Sequence, residues 1–401
     1  MNHKISLGVT ISICAIVCAL TFIITSFFSL RSFNEKVQAV KEKAEKYERL
    51  EALDLYVREH YYLADIDEEG VMDGILKGYV AGLGDPYSAY MTAEEYAAQN
   101  EKESGKSVGI GVSVTQNDDG MPELVEIYED SPADEAGLQV GDVLTSVDGK
   151  TVEELGYEEA IDRVRGDEGT EVVLTFDRAG RSVTFHITRA RFDVKTVSAQ
   201  LMDDGVGYIR IRSFRENTAE QFSAAVDEMV LGGAESLLFD VRSNGGGLLE
   251  ALEKMLDPLL PEGVIATATY QDGTTETVVY SDAEEIKLPM VILVDGGTAS
   301  AAELFSASLR DFKDAKLVGT QTYGKGVMQV TRRMEDGGGL KLTVATYQTT
   351  RSDCYNGVGL EPDLIVEPDE DTVVNDADPE HDPALAAALE MLTEEDTDGR
   401  D

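Results

Sequence analysis

The sequence predicts an α/β domain that carries an inserted β-rich module and follows an N-terminal transmembrane helix. From Val194 onward, strand-like runs alternate with helical runs, which is typical of α/β layers. Between Ser107 and Phe192, short β-type runs are separated by turns, which indicates a small β-rich module. Ile5 to Leu30 contains no charged residue. These three sequence patterns define the predicted architecture.

A chain of 401 residues has room for roughly two or three folded domains. Changes of composition along the chain divide it further into five segments. They are a transmembrane anchor at 5–30, a helical region at 31–95, the β-rich module at 105–192, the α/β core at 193–370, and an acidic segment with a short helix at 371–401.

The apolar run from Ile5 to Leu30 is long enough to cross a bilayer, since roughly 20 residues suffice. A cleaved signal peptide is the alternative, but Thr25 to Leu30 contains no small-residue cleavage site of the A-x-A kind. The run therefore favours an uncleaved anchor in the cell membrane. Its flanks carry more positive charge after the span than before it, so the positive-inside rule places the body in the cytoplasm.

Composition excludes some classes of partner. The formal net charge is −43, whereas binding to nucleic acid requires clustered Lys and Arg. Cys354 is the single cysteine after the apolar run, so the body of the protein contains no internal disulfide. A single thiol beside Asp353 does not indicate a metal site, and the sequence predicts neither metal nor cofactor.

Glu35 to Tyr62 is strongly charged, with apolar residues at helical spacing. The pattern predicts an amphipathic helix. It serves either as a spacer or dimerising element, which leaves a homodimer open, or as an ordinary packing helix.

Two short motifs point to chemistry. Thr298 to Glu303 follows the apolar run Met290 to Val294, which predicts a strand, a tight turn and a helix. The hydroxyl of Ser300 is then exposed at the end of a sheet, beside backbone N–H groups that can hold an anion.

A serine nucleophile needs a base. The four histidines, His3, His60, His186 and His381, all lie outside glycine-rich or strand-end contexts near the serine. Lys325, between two glycines, is therefore the better candidate. The alternative is that Ser300 caps a helix and Lys325 follows a glycine turn.

The β-rich module has a recognisable signature in Ser131 to Leu138, Val140 to Asp142 and Val147 to Lys150. It resembles a PDZ domain of the protease-associated kind. In such domains a glycine-containing loop, here Gly109, Ile110, Gly111 and Val112, offers backbone N–H groups to the C-terminal carboxylate of a peptide, which adds as a strand. An ordinary β-turn is the alternative for this loop.

Together with the downstream motifs, the chain resembles the C-terminal processing peptidases, also called tail-specific proteases. The resemblance extends from about Tyr56 to Leu392 and includes Asp85 to Tyr90, Phe239 to Leu248 and Gly357 to Asp363. It implies a catalytic domain of the crotonase or ClpP type.

The resemblance assigns roles to individual residues. It implies that Ser300 attacks the peptide bond, that Lys325 is the general base, and that Gln329 orients the lysine. It places the oxyanion hole at the backbone N–H groups of Gly246 and Ala301. A lysine has an ordinary pKa about 3 units above neutrality, and burial lowers it towards about 7.

The family implies a membrane-anchored serine endopeptidase whose PDZ domain recognises protein substrates with apolar C-terminal tails. It also implies an extracytoplasmic body, against the charge bias around the anchor. Arg165 either couples the PDZ domain to the catalytic domain or is a surface charge. The competing interpretation is a non-catalytic PDZ scaffold that binds peptides.

Overall fold

A computed structural model describes residues 7–63, 65–282, 285–369, 372, 374 and 378–398. The chain divides into two compact units, Met1–Ile75 and Leu76–Asp401. Each unit is described by itself.

The first unit consists mainly of one helix, α1 (Leu7–His60), and contains the beginning of α2 (Glu68–Ala81). Arg58 and His60 lie in the last turn of α1, where positive charge is favourable against the helix dipole. Arg58 also donates two hydrogen bonds to the carboxylate of Glu68, at 2.5 and 2.7 Å. Both side chains are exposed, so this ion pair contributes little to stability.

No helix in the described part of the chain has both the length and the apolar character that crossing a membrane requires. The anchor predicted over residues 5–30 is therefore not confirmed. Its first two residues, Ile5 and Ser6, lie outside the described residues.

The second unit begins with the end of α2, strand β1 (Ala89–Met91) and helix α3 (Ala93–Ser104). A capping box starts α3. The Thr92 hydroxyl accepts from the Glu95 N–H at 3.2 Å, and the Glu95 carboxylate accepts from the Thr92 N–H at 2.9 Å. The helix ends at Gly105, whose φ of 70° is the left-handed conformation that glycine adopts readily.

The β-rich module is an antiparallel sheet in the order β3-β4-β5-β7-β8, with β6 paired to β5. Its strands are β3 (Val112–Gln116), β4 (Pro122–Ile127), β5 (Val143–Val147), β6 (Lys150–Thr151), β7 (Glu171–Arg178) and β8 (Arg181–Thr188). Its helices are α4 (Pro132–Glu135), α5 (Val152–Leu155) and α6 (Tyr157–Val164). Strand β7 buries Val172, Leu174 and Phe176 at every second position, as expected for a sheet with one face on a core.

A two-stranded ribbon joins this module to the rest of the unit. Strand β2 (Lys106–Gly109) enters the module, β9 (Ala190–Asp193) leaves it, and the two pair antiparallel. Asn217 holds the base of the ribbon, because its amide donates to the carbonyl oxygens of Gly105 at 2.9 Å and Val194 at 3.1 Å. The entrance and the exit of the module are therefore fixed to one side chain.

The α/β core is built on a six-stranded sheet in the order β10-β11-β12-β15-β16-β19. Its strands are β10 (Val197–Leu201), β11 (Val206–Ile211), β12 (Ser236–Asp240), β15 (Met290–Val294), β16 (Lys316–Gly319) and β19 (Leu364–Ile365). All neighbouring pairs are parallel except β10 with β11. Every residue of β11, β12 and β15 is buried, as expected for a sheet that is covered on both faces.

Helices cover both faces of this sheet, which confirms the predicted α/β alternation. On one face lie α7 (Thr218–Leu231), α8 (Leu249–Leu256) and α9 (Ala301–Lys313). On the other lies α10 (Pro383–Asp398), which buries Leu385 and Leu389 against strand residues such as Leu238. The short helix predicted in the acidic C-terminal segment is thus part of the core, and it extends to Asp398.

A second antiparallel sheet was not predicted from the sequence. Its order is β1-β18-β13-β14, with β17 paired to β18. The strands beyond β1 are β13 (Gly263–Tyr270), β14 (Thr275–Ser281), β17 (Val327–Arg333) and β18 (Gly339–Thr349). A short 3-10 helix, Asp257–Leu259, precedes β13. This sheet carries Tyr347 and brings the Lys325 loop towards α9.

Four aromatic rings fix α9 on the six-stranded sheet of the α/β core. Phe305 of α9 lies 5.4 Å from the ring of Phe239, and 6.1 Å from the rings of Phe214 and Phe222. All four rings are buried. Since such a cluster is close-packed, the N-terminus of α9 has a defined position above the strand ends.

Candidate active site

Ser300 occupies the turn between β15 and α9, as the sequence predicts. Its φ is 57° and its ψ is −119°, a conformation that residues other than glycine rarely adopt. Such a conformation costs on the order of 1–3 kcal/mol and persists only where the surroundings enforce it. Here the Ala299 N–H donates to the Asn244 carbonyl at 2.9 Å, and the Leu304 N–H donates to the Ser300 carbonyl at 3.0 Å.

Glu303 joins the serine turn to the lysine loop. Its side chain is fully buried and accepts four hydrogen bonds. Oε2 accepts from the backbone N–H of Ser300 at 2.9 Å and of Lys325 at 2.8 Å. Oε1 accepts from the Thr322 hydroxyl at 2.6 Å and from the Gly324 N–H at 2.7 Å. One carboxylate therefore sets the position of Ser300 relative to Lys325.

Lys325 is half-buried beside the serine. Burial lowers the pKa of its amine below the ordinary value, and the neighbouring charge of Lys341 lowers it further. The carboxylates of Asp85 and Glu303 oppose this shift. The net direction favours the neutral amine, which is the form that a general base requires.

Tyr87 covers the lysine. The amine of Lys325 lies 4.6 Å from the centroid of the Tyr87 ring, within the range of a cation–π contact. Burial and a hydrogen bond with Tyr323 raise the pKa of Tyr87 to about 12, so the ring is neutral near pH 7. The Tyr87 N–H donates to Asp85 at 3.0 Å, which holds the backbone of this segment.

Tyr347 lies between the nucleophile and the lysine loop. Its hydroxyl is 3.2 Å from Oγ of Ser300 and 3.1 Å from the Lys325 carbonyl oxygen, and its one proton can be donated to either acceptor. Only 2% of Tyr347 is exposed, and burial raises the pKa of its phenol above the ordinary value. The hydroxyl therefore keeps its proton and remains a donor towards Ser300.

Gln329 lines the same cleft but has different partners from those predicted. Its amide donates to the Thr343 hydroxyl at 3.2 Å and to the Val327 carbonyl at 3.3 Å. Among the described residues it makes no hydrogen bond to Lys325. Its predicted role in orienting the lysine stays a prediction.

The two predicted oxyanion donors are neighbours in space. A Cβ built on Gly246 would lie 2.8 Å from both the Ala301 nitrogen and Cβ of Ser300, so only glycine fits here. The Ala301 N–H has no acceptor in the described part of the chain. The Gly246 N–H already donates to the side chain of Asn244 at 2.9 Å. One donor is thus free, and the other is satisfied within the protein.

Ser300 and Lys325 both line one cavity of about 810 Å³, which we call the serine cleft. Its walls include Gly245, Gly246, Gly247, Ser300, Lys325, Gln329 and Tyr347. The predicted nucleophile, base and oxyanion glycine are therefore brought together around one space. Such a cleft, with convergent polar groups, can hold a peptide across the serine.

The predicted peptide-binding loop lines a separate cavity of about 450 Å³ in the β-rich module, which we call the module groove. Its walls include Gly109–Val112, Tyr128, Arg165, Phe176 and Phe192. The N–H groups of Ile110 and Gly111 have no hydrogen-bond acceptor within the residues that the structure describes. Free N–H groups above an apolar groove suit a peptide carboxylate with an apolar side chain.

Sequence reasoning missed Tyr87, Glu303 and Tyr347 as site residues. Glu303 has a local signal, since a Ser followed three residues later by Glu is the pattern of a capping box. Tyr347 reaches the site through strand pairing in the second sheet, and Tyr87 reaches it from the turn before β1, so neither contact is visible in the local sequence. Arg242 and Asn244, which lie just before the glycine turn at 245–247, are buried.

Three family descriptions match the chain. Residues 205–366 match peptidase family S41, residues 123–178 match a PDZ domain, and residues 15–95 match the N-terminal domain of the activating protease CtpB.

Individual relatives agree with these matches. The carboxy-terminal processing protease CtpA of Bacillus subtilis is 33% identical over 370 residues, which cover 92% of this chain and 78% of that protein. A probable CtpA-like serine protease of Staphylococcus haemolyticus is 36% identical over 303 residues, covering 74% of this chain and 60% of that protein.

Solved structures show the same fold. The photosystem II D1 C-terminal processing protease superposes with a TM-score of 0.50 at 25% identity, covering 83% of this chain and 90% of that chain. A putative S41 protease from Bacteroides fragilis superposes with a TM-score of 0.55 at 18% identity, covering 83% and 98%, which supports the fold alone. The predicted likeness to crotonase and ClpP stays a prediction. The chain belongs to the carboxy-terminal processing proteases of peptidase family S41, and it is a serine-type protease that carries a PDZ domain.

Proposed function

We propose that this protease cleaves protein substrates near their C-terminal tails with Ser300 as nucleophile and Lys325 as general base. The observation that carries the proposal is the Glu303 carboxylate, which holds the backbones of Ser300 and Lys325 within one cleft. Family membership favours the enzyme over the alternative of a non-catalytic PDZ scaffold.

The proposed chemistry begins with the neutral amine of Lys325. It accepts the proton of the Ser300 hydroxyl as Oγ attacks the carbonyl carbon of the scissile bond. The negative charge on the carbonyl oxygen is stabilised by the Ala301 N–H, and by the Gly246 N–H once this exchanges its bond to Asn244. The ammonium of Lys325 then protonates the leaving amine, and an ester on Ser300 remains.

Hydrolysis of the ester repeats these steps with water. Lys325 accepts a proton from water as the hydroxide attacks the ester carbon, and it returns the proton to Oγ as the acid leaves. Tyr347 supports both halves by donating to Oγ of Ser300 at 3.2 Å, which holds the oxygen in the cleft.

The experiment compares wild type, Ser300→Ala and Lys325→Ala on an unstructured protein with an apolar C-terminus. An acylating serine probe and mass spectrometry locate the ester. We expect labelling of Ser300 in wild type and no cleavage by either variant. Ser182→Ala and Lys150→Ala replace exposed residues of the PDZ domain and serve as matched controls. Undiminished cleavage by Ser300→Ala would exclude the mechanism.

The proposed tail recognition rests on the module groove. The free N–H groups of Ile110 and Gly111 support binding of a terminal carboxylate, and the apolar wall supports an apolar last residue. Fluorescence anisotropy with Ser300→Ala tests this. A peptide with a free, apolar C-terminus should bind, and the same peptide with an amidated C-terminus should bind at least about tenfold more weakly. Equal affinities would contradict the assignment.

Membrane attachment, an extracytoplasmic body and a homodimer complete the proposal. The apolar run from Ile5 to Leu30 supports attachment, and the charged helical region after it supports association. Cell fractionation of the full chain and of a chain lacking residues 1–30 tests the anchor. Protease treatment of intact cells tests the orientation, and light scattering of the purified protein tests the dimer.

A further inference from the structure

The serine cleft is basic although the protein is strongly acidic. The chain has 34 Lys and Arg against 77 Asp and Glu. The cleft reverses this proportion. Its cationic lining residues are Lys102, Arg212, Arg215, Lys325 and Lys341, whereas its acidic lining residues are Glu103 and Glu250. A local excess of positive charge in such a chain indicates a ligand that carries negative charge.

The four cations other than Lys325 have no ion-pair partner within 4.0 Å in the described part of the chain. Arg212 donates to the Ser198 hydroxyl at 3.2 Å, which leaves its charge uncompensated. Elsewhere in the chain, half-buried and buried arginines such as Arg178 and Arg242 are paired with carboxylates. In contrast to Arg178 and Arg242, these four cations of the cleft therefore have no carboxylate beside them among the described residues.

Arg215 is the most constrained of these cations. It is half-buried, and burial lowers the pKa of its guanidinium. Its backbone is fixed, because its N–H donates to the Thr218 hydroxyl at 2.9 Å. The preceding residue, Phe214, donates from its N–H to the Gly246 carbonyl at 3.1 Å. The backbone that carries the guanidinium is therefore fixed beside Gly246, one of the two predicted oxyanion donors.

Arg215 also lies near the PDZ domain, because Tyr128, which lines the module groove, is close enough to affect the pKa of its guanidinium. A half-buried charge without a partner is unfavourable unless a ligand supplies the partner. A guanidinium presents two parallel N–H donors, which match the two oxygens of a carboxylate.

We propose that Arg215 is a specificity-determining residue that binds a carboxylate of the substrate beside the scissile bond. The inference rests on the proposed function of Ser300 and Lys325. The carboxylate belongs either to an Asp or Glu side chain near the cleavage point or to the C-terminus of the tail. The protease thus prefers substrates that bring a carboxylate into the cleft, in addition to the apolar tail that the PDZ domain binds.

The experiment measures kcat/KM for internally quenched peptides that share one apolar C-terminus. A Glu or its isostere Gln is placed at each position on either side of the cleavage point, and each peptide is made with a free or an amidated C-terminus. For wild type, Glu at one position should raise kcat/KM about tenfold over Gln. The ratio should shrink as salt is raised, because ions screen exposed charges.

Variants then assign the preference to one residue. In Arg215→Gln the Glu-to-Gln ratio should fall to about one, and in Arg215→Glu a Lys peptide should become the better substrate. Arg215→Lys should restore part of the preference, because it keeps the charge and loses the paired donors. The matched control is Arg191→Gln, an exposed arginine of the ribbon outside the cleft, which should keep the wild-type ratio.

The outcomes separate the possibilities. A loss of kcat/KM on amidation that disappears in Arg215→Gln, without any preference in the side-chain series, assigns the carboxylate to the C-terminus, whereas a loss that Arg215→Gln retains comes from the module groove. A wild-type enzyme without any carboxylate preference, or a preference that survives in Arg215→Gln, overturns the inference. Cleavage by Ser300→Ala would instead overturn the proposed function, and thermal melts verify that each variant is folded.

Discussion

The ring of Tyr87 lies against the amine of Lys325, with 4.6 Å between the nitrogen and the ring centroid. This contact has two opposing effects on the lysine. The ring removes water from the amine, which disfavours the ammonium, whereas its π face attracts the ammonium. Charged neighbours also act on it: Lys341 lowers the pKa, while Asp85 and Glu303 raise it. In the proposed mechanism, the activity of Lys325 as a base at neutral pH depends on this balance.

Replacing Tyr87 by Leu keeps an apolar cover and removes the π face. We expect the pKa of Lys325 to fall by about half a unit, because a cation–π contact at a partly exposed site is worth about 0.5–1 kcal/mol. The acidic limb of kcat/KM against pH should move to lower pH by that amount. Tyr87→Phe keeps the ring and should keep the limb in place. A limb that moves to higher pH would show that the ring acts mainly by excluding water.

Replacing Lys325 by Met should abolish cleavage and raise the melting temperature. In the folded protein the pKa of Lys325 is lower than in the unfolded chain. Between these two values the unfolded chain binds more protons, so the stability of the wild type rises with pH. The advantage of the variant is therefore largest below the folded pKa and shrinks as pH approaches about 10. Calorimetry across this range measures it, with Lys150→Met as the exposed control. A variant that is less stable at every pH would contradict the expectation.

Replacing Glu303 by Gln should separate the serine turn from the lysine loop. The amide cannot accept all four hydrogen bonds, and its NH₂ group faces donors. Since each buried donor left unsatisfied costs about 1–3 kcal/mol, we expect the free energy of unfolding to fall by about 2 kcal/mol. Urea titration measures this loss, and acylation of Ser300 should slow in parallel. Glu220→Gln, at an exposed position in the first turn of α7, is the control. Unchanged acylation would exclude the coupling role.

Replacing Gly246 by Ala tests whether the backbone at this residue stabilises the oxyanion. Its φ of 91° disfavours alanine, and the added methyl would lie 2.8 Å from Cβ of Ser300. We expect kcat/KM to fall by about a hundredfold or more, as for the loss of one oxyanion donor. Gly245→Ala adds a methyl that meets no atom within 4 Å, which makes it the matched control. Comparable losses in both variants would argue against a specific role of Gly246. Binding of tail peptides to the PDZ domain should persist in both.

Replacing Asp382 by Asn should loosen α10 from the sheet. Asp382 is buried and accepts from two nitrogens of Arg242 at 2.6 and 2.9 Å. It also accepts from the Leu385 N–H at 3.0 Å, at the start of α10. Losing one partner of a buried ion pair costs about 3 kcal/mol, and urea unfolding should show this. Asp378→Asn, at the exposed pair with His381, should change little. An equal loss of stability in both variants would contradict the role of Asp382 in holding α10 on the sheet.

The sequence predicts those parts of the site that are encoded locally. Ser300 follows a buried strand and precedes an amphipathic helix, and Lys325 lies between two glycines, so each motif is visible within a few residues. The resemblance then implies that Gly246 and Ala301 are the oxyanion donors, and the structure brings both beside Ser300. The α/β alternation is also local, because the buried strands are short apolar runs and the helices between them have helical spacing.

The roles of Tyr87 and Tyr347 could not be predicted in the same way, because their contacts join segments that lie far apart in the sequence. Strand β18 pairs with β13 and β17, and this register places Tyr347 beside Ser300. Several strands of this sheet mix buried and exposed residues without strict alternation, so their pattern in the sequence is weak. The predicted anchor is the opposite case. Its signal was entirely local, an apolar composition over 5–30, and the described helices do not confirm it.

The clamp that Asn217 forms at the base of the β2–β9 ribbon has a mechanical consequence. Both connections of the PDZ domain are held by this one side chain, so its two ends can separate only by breaking the hydrogen bonds at Gly105 and Val194. The six strands of the α/β core all follow the domain in the sequence and pair with one another. We therefore expect a different tail-binding domain, inserted between the same two residues, to leave the core sheet and its serine turn intact.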